Sequence, residues 1–290
     1  MAKPSARRSE NVPGPFYVDE SCIDCDTCRW MAPEVFHSAG SMSAVHAQPA
    51  DEEQELRAFQ ALVSCPTSSI GCEQKLPVSE MARSLPIPVD EHVFHCGYHH
   101  ESSFGAASYL IRRPEGNVLV DSPRFASQLV RRLEELGGVR TLWLSHRDDV
   151  GDHAKFAAHF GCERILHEDD ADGELRAVER LLSGQEPVAL DDELCVVPVP
   201  GHTRGSCVLL WRGTHAFTGD HLAWSDELER IYAFRRACWY DWEVQIESMR
   251  RLSEHAFEWV LPGHGRRCRF PAGEMRTRMA DCVQWMRSVA

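Results

Sequence analysis

Cys22, Cys25 and Cys28 recur at every third residue, and a fourth cysteine, Cys65, is followed directly by Pro66. Three thiolates spaced in this way can wrap one corner of an iron–sulfur cube, and a distant fourth backed by proline closes the site. A structural zinc site would show two separated pairs of ligands instead. The spacing predicts one 4Fe-4S cluster held by Cys22, Cys25, Cys28 and Cys65, with a helix and a hairpin filling the gap before Cys65. Cys72 reads as a spare thiol. Cys96, Cys162, Cys195, Cys207, Cys238, Cys268 and Cys282 read as small core residues.

Twelve cysteines would suit a secreted, disulfide-bonded chain only behind a signal peptide. The opening MAKPSARRSENVPGPF is basic but has no apolar run after it. No later stretch reaches the length of a membrane-spanning helix. The expected location is therefore a reducing cytoplasm, where clustered cysteines bind metal more often than they pair. A net charge of -13 argues against a nucleic-acid backbone or an anionic membrane as partner. A small-molecule substrate and a redox partner protein remain as the expected partners.

Residues 1–15 are polar, with prolines at 4, 13 and 15, and read as a flexible N-terminus. Residues 16–75 carry the cysteine cluster. The segment LPVSEMARSLPIPVDE, residues 76–91, reads as an extended proline-rich linker. Residues 92–290 form the large domain. There SYLIRR and NVLVDS flank a turn at Pro114–Asn117, and a helix is expected over Arg124–Leu136. TLWLSH, ERILH, ELCVVPVPGH, CVLLW, HAFTGDH and WVLPGHG read as strands. His153–Phe160 and the face Trp242, Ile246, Met249, Leu252 read as helices. Strands lead and then alternate with helices, which predicts a layered α/β arrangement.

Four polar pieces each come just after an apolar strand: SHRDDVGDH at 145–153, PGHTRGS at 200–206, FTGDH at 217–221 and LPGHG at 261–265. Imidazole and carboxylate at successive strand ends suit zinc, iron or manganese. His37, His46, His159, His167, His215 and His255 stand outside this pattern and read as ordinary core or surface residues. His95, His99 and His100 read equally as pocket mouth or exposed surface.

On these residues, FYVDESCIDCDTCRWMAPEVF with SCPTSSI resembles the single-cluster bacterial ferredoxins. The four His/Asp pieces resemble the metallo-β-lactamase superfamily over residues 93–270. The resemblance implies a four-layer αββα metallo-β-lactamase fold preceded by a small α+β ferredoxin-like domain. It also implies two divalent metal ions, with His146, Asp152, His153, His202, Asp220 and His264 as ligands. Asp220 is the carboxylate shared by both ions, and Asp220, Asp152 and His153 are the expected catalytic residues. His221 is expected to support Asp220. The first piece departs from the usual His-x-His-x-Asp-His, being two residues longer. Counting forward from His146 or back from His153 puts Asp148 in a ligand slot, with Asp149 as the alternative. A carboxylate there, as in the flavodiiron proteins of this superfamily, shifts preference from zinc towards iron or manganese, with iron favoured. Fusion to a one-electron carrier then suggests an oxidoreductase in which His146, Asp148, His202 and Asp220 hold one iron and Asp152, His153, Asp220 and His264 the other. The alternative is a two-metal hydrolase of an ester, thioester, lactone or phosphoester. Trp224, Tyr232, Phe234, Trp239 and Tyr240, in 223–240, either shape a pocket or pack a helix.

Overall fold

A computed structural model describes residues 2–75 and 78–289. Leu76 and Pro77, where the proline-rich linker begins, lie outside the described residues. The chain divides into two compact units, one of Met1–Arg140 with Gly151–Gly161 and one of Thr141–Val150 with Cys162–Ala290.

In the first unit, β1 (Phe16–Val18) pairs antiparallel with β4 (Ile70–Cys72), and β2 (Phe36–Ala39) with β3 (Met42–Val45) forms the hairpin expected between Cys28 and Cys65. Helices α1 (Thr27–Met31) and α2 (Glu52–Ser64) pack with them around Phe16, Val18, Val35, Phe36, Ala58, Ala61 and Ile70. Helix α2 starts where it does because the Asp51 carboxylate accepts the Gln54 N–H at 2.8 Å. Glu52, Glu53 and Glu55 add negative charge at that positive end of the helix dipole. In residues 4–15, the Arg8 N–H donates to the Val18 carbonyl, and the Arg7 guanidinium to the Val12 and Gly14 carbonyls.

Helix α3 (Val78–Met81) leads into an antiparallel run of β5 (Ile87–Pro88), β6 (Val93–His95), β7 (Tyr109–Ile111) and β8 (Val118–Val120). The turn read at 114–117 does join β7 to β8. Helix α4 (Ser127–Glu135) buries Leu129, Val130 and Leu133, as its apolar spacing requires. Helix α5 (His153–Phe160) ends on Gly161, whose φ of +62° suits a left-handed cap.

The second unit opens with three parallel strands, β9 (Thr141–Trp143), β10 (Glu163–His167) and β11 (Arg180–Leu182). Next come β12 (Val188–Ala189), β13 (Leu194–Pro198), β14 (Cys207–Trp211), β15 (His215–Gly219), the hairpin β16 (Ala223–Ser225) and β17 (Arg230–Tyr232), α6 (Trp242–Leu252), β18 (Trp259–Pro262), β19 (Cys268–Arg269) and α7 (Ala272–Ser288). The six-strand order is β12-β13-β14-β15-β18-β19, antiparallel except where β15 runs parallel to β18. Helix α6 buries the expected Trp242, Ile246, Met249 and Leu252. Helix α7 was not foreseen from the sequence. Its buried face is Met275, Met279, Cys282, Val283 and Met286, flexible and polarisable residues set among arginines and acids. Among the described residues no helix is long and apolar enough to cross a membrane.

Met279 is 1% exposed and packs in the same cluster as Met249 and Phe257. Met279→Ala is expected to lower the stability of the second unit by about 2–5 kcal/mol, read as a lower urea midpoint of the transition that reports this unit.

Candidate metal centre and cluster site

His146, Asp148 and Asp149 lie just past the C-terminal end of β9, and His202 lies four residues beyond β13. Asp220 comes directly after β15, and His264 two residues after β18. Because β15 and β18 are parallel neighbours, with Gly219 opposite Pro262, the residues after them leave the sheet side by side. The Gly263 N–H donates to the Gly219 carbonyl at 2.9 Å. A Cβ on Gly263 would lie 2.6 Å from Asp149 Oδ2 and 3.1 Å from Asp220 Oδ1. Only glycine lets these two carboxylates approach the backbone so closely.

The donor atoms converge. Asp148 Oδ2 lies 3.9 Å from His146 Nε2 and 3.4 Å from His202 Nε2. Asp220 Oδ2 lies 3.8 Å and 3.6 Å from the same two nitrogens. Two ligands about 2.0–2.1 Å from one tetrahedral ion stand about 3.3 Å apart, so these separations are long for hydrogen bonds and close to those of shared ligands. His146 Nε2 and His202 Nε2 are buried and have no hydrogen-bond partner among the described residues. Their other nitrogens are occupied. His146 Nδ1 is 2.8 Å from Ser145 Oγ, and His202 Nδ1 donates to the Ala237 carbonyl at 2.5 Å. The Ala237 carbonyl only accepts, so His202 Nε2 carries an inward lone pair, as a metal-ligating imidazole requires; with the Ser145 hydroxyl accepting from Nδ1, His146 Nε2 does the same. His146, Asp149 and Asp220 form a second, overlapping group of potential ligands.

Electrostatics agree with this arrangement. Burial drives His146 towards its neutral form against the pull of Asp220, and neutral imidazole is the ligand. Burial also works to raise the Asp220 carboxyl, but His264, His146 and His202 hold it well below the usual carboxylate range. His264 Nδ1 sits 2.7 Å from Asp220 Oδ1. Contact with His202 keeps Asp148 low despite its partial burial. His221, beside Asp220, is 1% exposed. Neither of its ring nitrogens has a hydrogen-bond partner among the described residues.

One organising residue was missed from the sequence. Asp170, fully buried, accepts from the Arg147 N–H at 3.1 Å, the Thr203 hydroxyl at 2.6 Å and the Gly205 N–H at 2.9 Å. It ties the loop carrying His146 and Asp148 to the loop carrying His202. In the sequence it lies in Glu168-Asp169-Asp170-Ala171-Asp172, which reads as a solvated acidic run.

In the first unit, Cys22, Cys25, Cys28 and Cys65 line one pocket with Ile23, Thr27, Ser43 and Ser69. The CxxCxxC loop turns through Asp24 and Asp26, at φ of +63° and +65°. Aspartate tolerates this left-handed region better than most side chains. Arg29 holds both carboxylates, at 2.7 Å and 2.5 Å. Backbone N–H groups of Ser43 and Ser69 point at Cys22 Sγ and Cys65 Sγ, at 3.5 Å and 3.2 Å. Four sulfurs around one space, with amides aimed at them, fit thiolate ligands of a cluster. As free thiols two of them are ill-placed to ionise: burial pushes Cys25 up to about 11, against the Thr27 hydroxyl, and Cys28 higher still.

Residues 18–72 match the family model described as the 4Fe-4S single cluster domain of Ferredoxin I. The metallo-β-lactamase FIM-1 from Pseudomonas aeruginosa, in its mono-zinc form, superposes with a TM-score of 0.51 at 14% identity, over 68% of this chain and 93% of that one. The chain joins a single-cluster ferredoxin domain to a metallo-β-lactamase fold. Two curated relatives match over part of their length. One, 40% identical over 93 residues (30% of this chain and 35% of its own), is named hydroxyacylglutathione hydrolase, from Anaeromyxobacter dehalogenans strain 2CP-C. The other is the uncharacterized protein YmaE of Bacillus subtilis strain 168, 28% identical over 125 residues, 42% of this chain and 45% of its own. The chain therefore spans less than half the length of either curated relative.

Of the residues singled out in the metallo-β-lactamase fold, the structure gathers His146, Asp148, His202, Asp220 and His264 within the second unit. Both Asp148 and Asp149 enter this gathering, one beside His202 and the other beside Asp220. Asp152 and His153 belong to the first unit, at the start of α5. There Asp152 accepts from the Phe125 N–H at 2.7 Å and from Lys155 Nζ at 2.8 Å, with His100 Nε2 at 3.7 Å. His153 is buried. His95 and His99, read as equally pocket mouth or surface, are both fully buried.

Cys25→Ser should abolish the brown iron–sulfur absorbance while far-UV circular dichroism shows a folded chain. Asp170→Ala should weaken metal binding by the second unit about 10–100-fold, read by competition with a chromophoric chelator.

Proposed function

We propose that this chain is an oxidoreductase in which the ferredoxin domain delivers single electrons to an iron-containing centre in the metallo-β-lactamase fold, acting on a small molecule. The observation carrying this reading is Asp148 beside His146 and His202, with Asp220 on the same two nitrogens. Two imidazoles with carboxylates suit iron or manganese better than zinc. We assign His146, Asp148, His202 and Asp220 to one ion. Asp220, shared, and His264 serve a second. When bound, iron would supply one-electron chemistry that no side chain here can perform.

The chain's own groups do the rest. The Ala237 carbonyl fixes the tautomer of His202, and the Ser145 hydroxyl is placed to accept from His146 Nδ1 when Nε2 binds the ion. Asp220 stays ionised within a cage of imidazoles and directs Oδ2 towards His146 and His202, while Oδ1 meets His264. Asp148, whose side chain is 43% exposed, is the carboxylate best able to exchange a proton with solvent or substrate. Among the described residues no cysteine is in a disulfide, which suits a reducing cytoplasm. A protein electron donor is the remaining partner in this reading.

A two-metal hydrolase is the second reading, supported by the relative named hydroxyacylglutathione hydrolase. Elemental analysis with Mössbauer spectroscopy on anaerobically purified protein separates the two. Iron beyond the cluster's share is expected. Stoichiometric zinc together with thioester or ester cleavage would replace the first reading by the second. Asp148→Asn should lower the non-cluster iron retained after dialysis about tenfold, leaving cluster iron unchanged.

A further inference from the structure

The cluster pocket receives a hydrogen-bond chain from residues beyond the ferredoxin domain, which ends at residue 72. His95, at the end of β6, and His99, four residues on, are both fully buried. Their Nε2 atoms are 2.8 Å apart. His99 Nδ1 lies 2.7 Å from the Gly105 carbonyl and 3.1 Å from Thr27 Oγ1. Thr27 Oγ1 lies 3.4 Å from Cys25 Sγ. Gly105 closes over the same sulfur: a Cβ there would stand 3.1 Å from Cys25 Sγ. The His99 backbone N–H donates to the Ser64 carbonyl, next to Cys65, and Trp30 stacks on the His99 ring at 6.2 Å.

The proton directions can be assigned by elimination. A carbonyl oxygen only accepts, so His99 Nδ1, 2.7 Å from Gly105 O, carries the proton. In the neutral ring His99 Nε2 is then an acceptor, and His95 Nε2 donates to it. The Thr27 hydroxyl has two acceptors at 3.4 Å, the Gly105 carbonyl and Cys25 Sγ; the carbonyl already takes the His99 Nδ1–H at 2.7 Å, and a thiolate, being charged, is the stronger acceptor for the hydroxyl proton. A free thiol could donate to Thr27, but a metal-bound thiolate only accepts. The chain therefore runs His95 to His99 to Thr27 to Cys25 Sγ.

We propose that His95 and His99 act as positioning residues which hold the Thr27 hydroxyl on Cys25 Sγ and raise the reduction potential of the cluster. This rests on the reading that Cys22, Cys25, Cys28 and Cys65 hold a 4Fe-4S cluster, and not on the identity of the second metal centre. Reduction adds one electron to the cluster and no bond is made or broken. The added negative charge spreads onto the thiolate sulfurs, so a donor aimed at one of them stabilises the reduced form more than the oxidised form. Residues outside the ferredoxin domain thereby set how readily its cluster accepts an electron.

The test is a potentiometric titration of the whole chain with its cluster, with electron paramagnetic resonance of the reduced state as the second readout. Thr27→Val and His99→Leu should each cut the reduced-to-oxidised ratio at the wild-type midpoint about tenfold, a shift of about 59 mV to more negative potential for one electron. The double variant should shift no further than either single change, because the groups act in series. His99→Asn, whose Nδ2 can take the place of Nδ1, should restore most of the wild-type midpoint. An unchanged midpoint in Thr27→Val with full cluster absorbance would overturn the proposal, as would additive shifts. If His99→Leu fails to fold, Thr27→Val and His99→Asn still decide. A wild-type chain that takes up no cluster would overturn the cluster assignment itself, a different failure from an unmoved midpoint.

Discussion

Asp220 is the charge around which the metal-binding part of the second unit is built. An ionised carboxylate taken out of water costs several kcal/mol unless other groups replace its hydration. Here His264 contacts one oxygen directly, and His146 and His202 face the other. None of those imidazoles is adjacent to Asp220 in sequence. They meet because the strands deliver them: β15 and β18 run parallel, so Asp220 and His264 emerge at the same sheet edge. Glycine at 263 removes the side chain that would block the approach. Substituting any strand-end residue therefore alters the surroundings of a buried charge.

Loops at strand ends are mobile unless something fixes them, and each metal site here is fixed by a different device. In the second unit it is Asp170, whose two oxygens collect two backbone amides and a hydroxyl from separate loops. Those bonds orient residues that flank the candidate ligands and do not themselves occupy the candidates' donor atoms. In the ferredoxin domain it is Arg29. The left-handed turns at Asp24 and Asp26 cost backbone energy, and the guanidinium holds both side chains that make them. The cysteines then point inward because the loop between them has little other choice.

The sequence was most informative where chemistry and periodicity coincide. Three cysteines in register and a Cys-Pro specify the cluster pocket without any reference to packing. The strands before His146, Asp220 and His264 were legible as short apolar runs, and α5 and β10 were bounded to the residue. The longer first His/Asp piece left Asp148 and Asp149 as alternatives, since counting along a chain cannot tell which of two neighbours a loop turns inward. In the fold each turns towards a different part of the same group. Helix α7 escaped because methionine and cysteine on its buried face contrast weakly with the polar residues between them. Asp170 and the His95–His99 pair escaped for a deeper reason. A buried polar residue looks like a surface one until its partners are known. Asp170 finds its partners more than twenty positions away, and His99 reaches back to Thr27.

The fold alone does not choose between redox and hydrolytic chemistry; the donor set bears on it. A hydrolytic zinc site works by concentrating positive charge on a bound water, and neutral imidazoles leave that charge largely intact. Each carboxylate in the group subtracts from it. Asp148, Asp149 and Asp220 each have an oxygen within 4.8 Å of a His146 ring nitrogen, so with all three ionised a divalent ion among them would be more than neutralised. That weakens its action as a Lewis acid and at the same time stabilises a more highly charged ion, which is the state a metal reaches when it gives up an electron. Such a donor set is what the proposed one-electron reading needs, and a hydrolytic centre would gain less from it. In the proposed reading, the one-electron carrier in the same chain would be the means of resetting that centre.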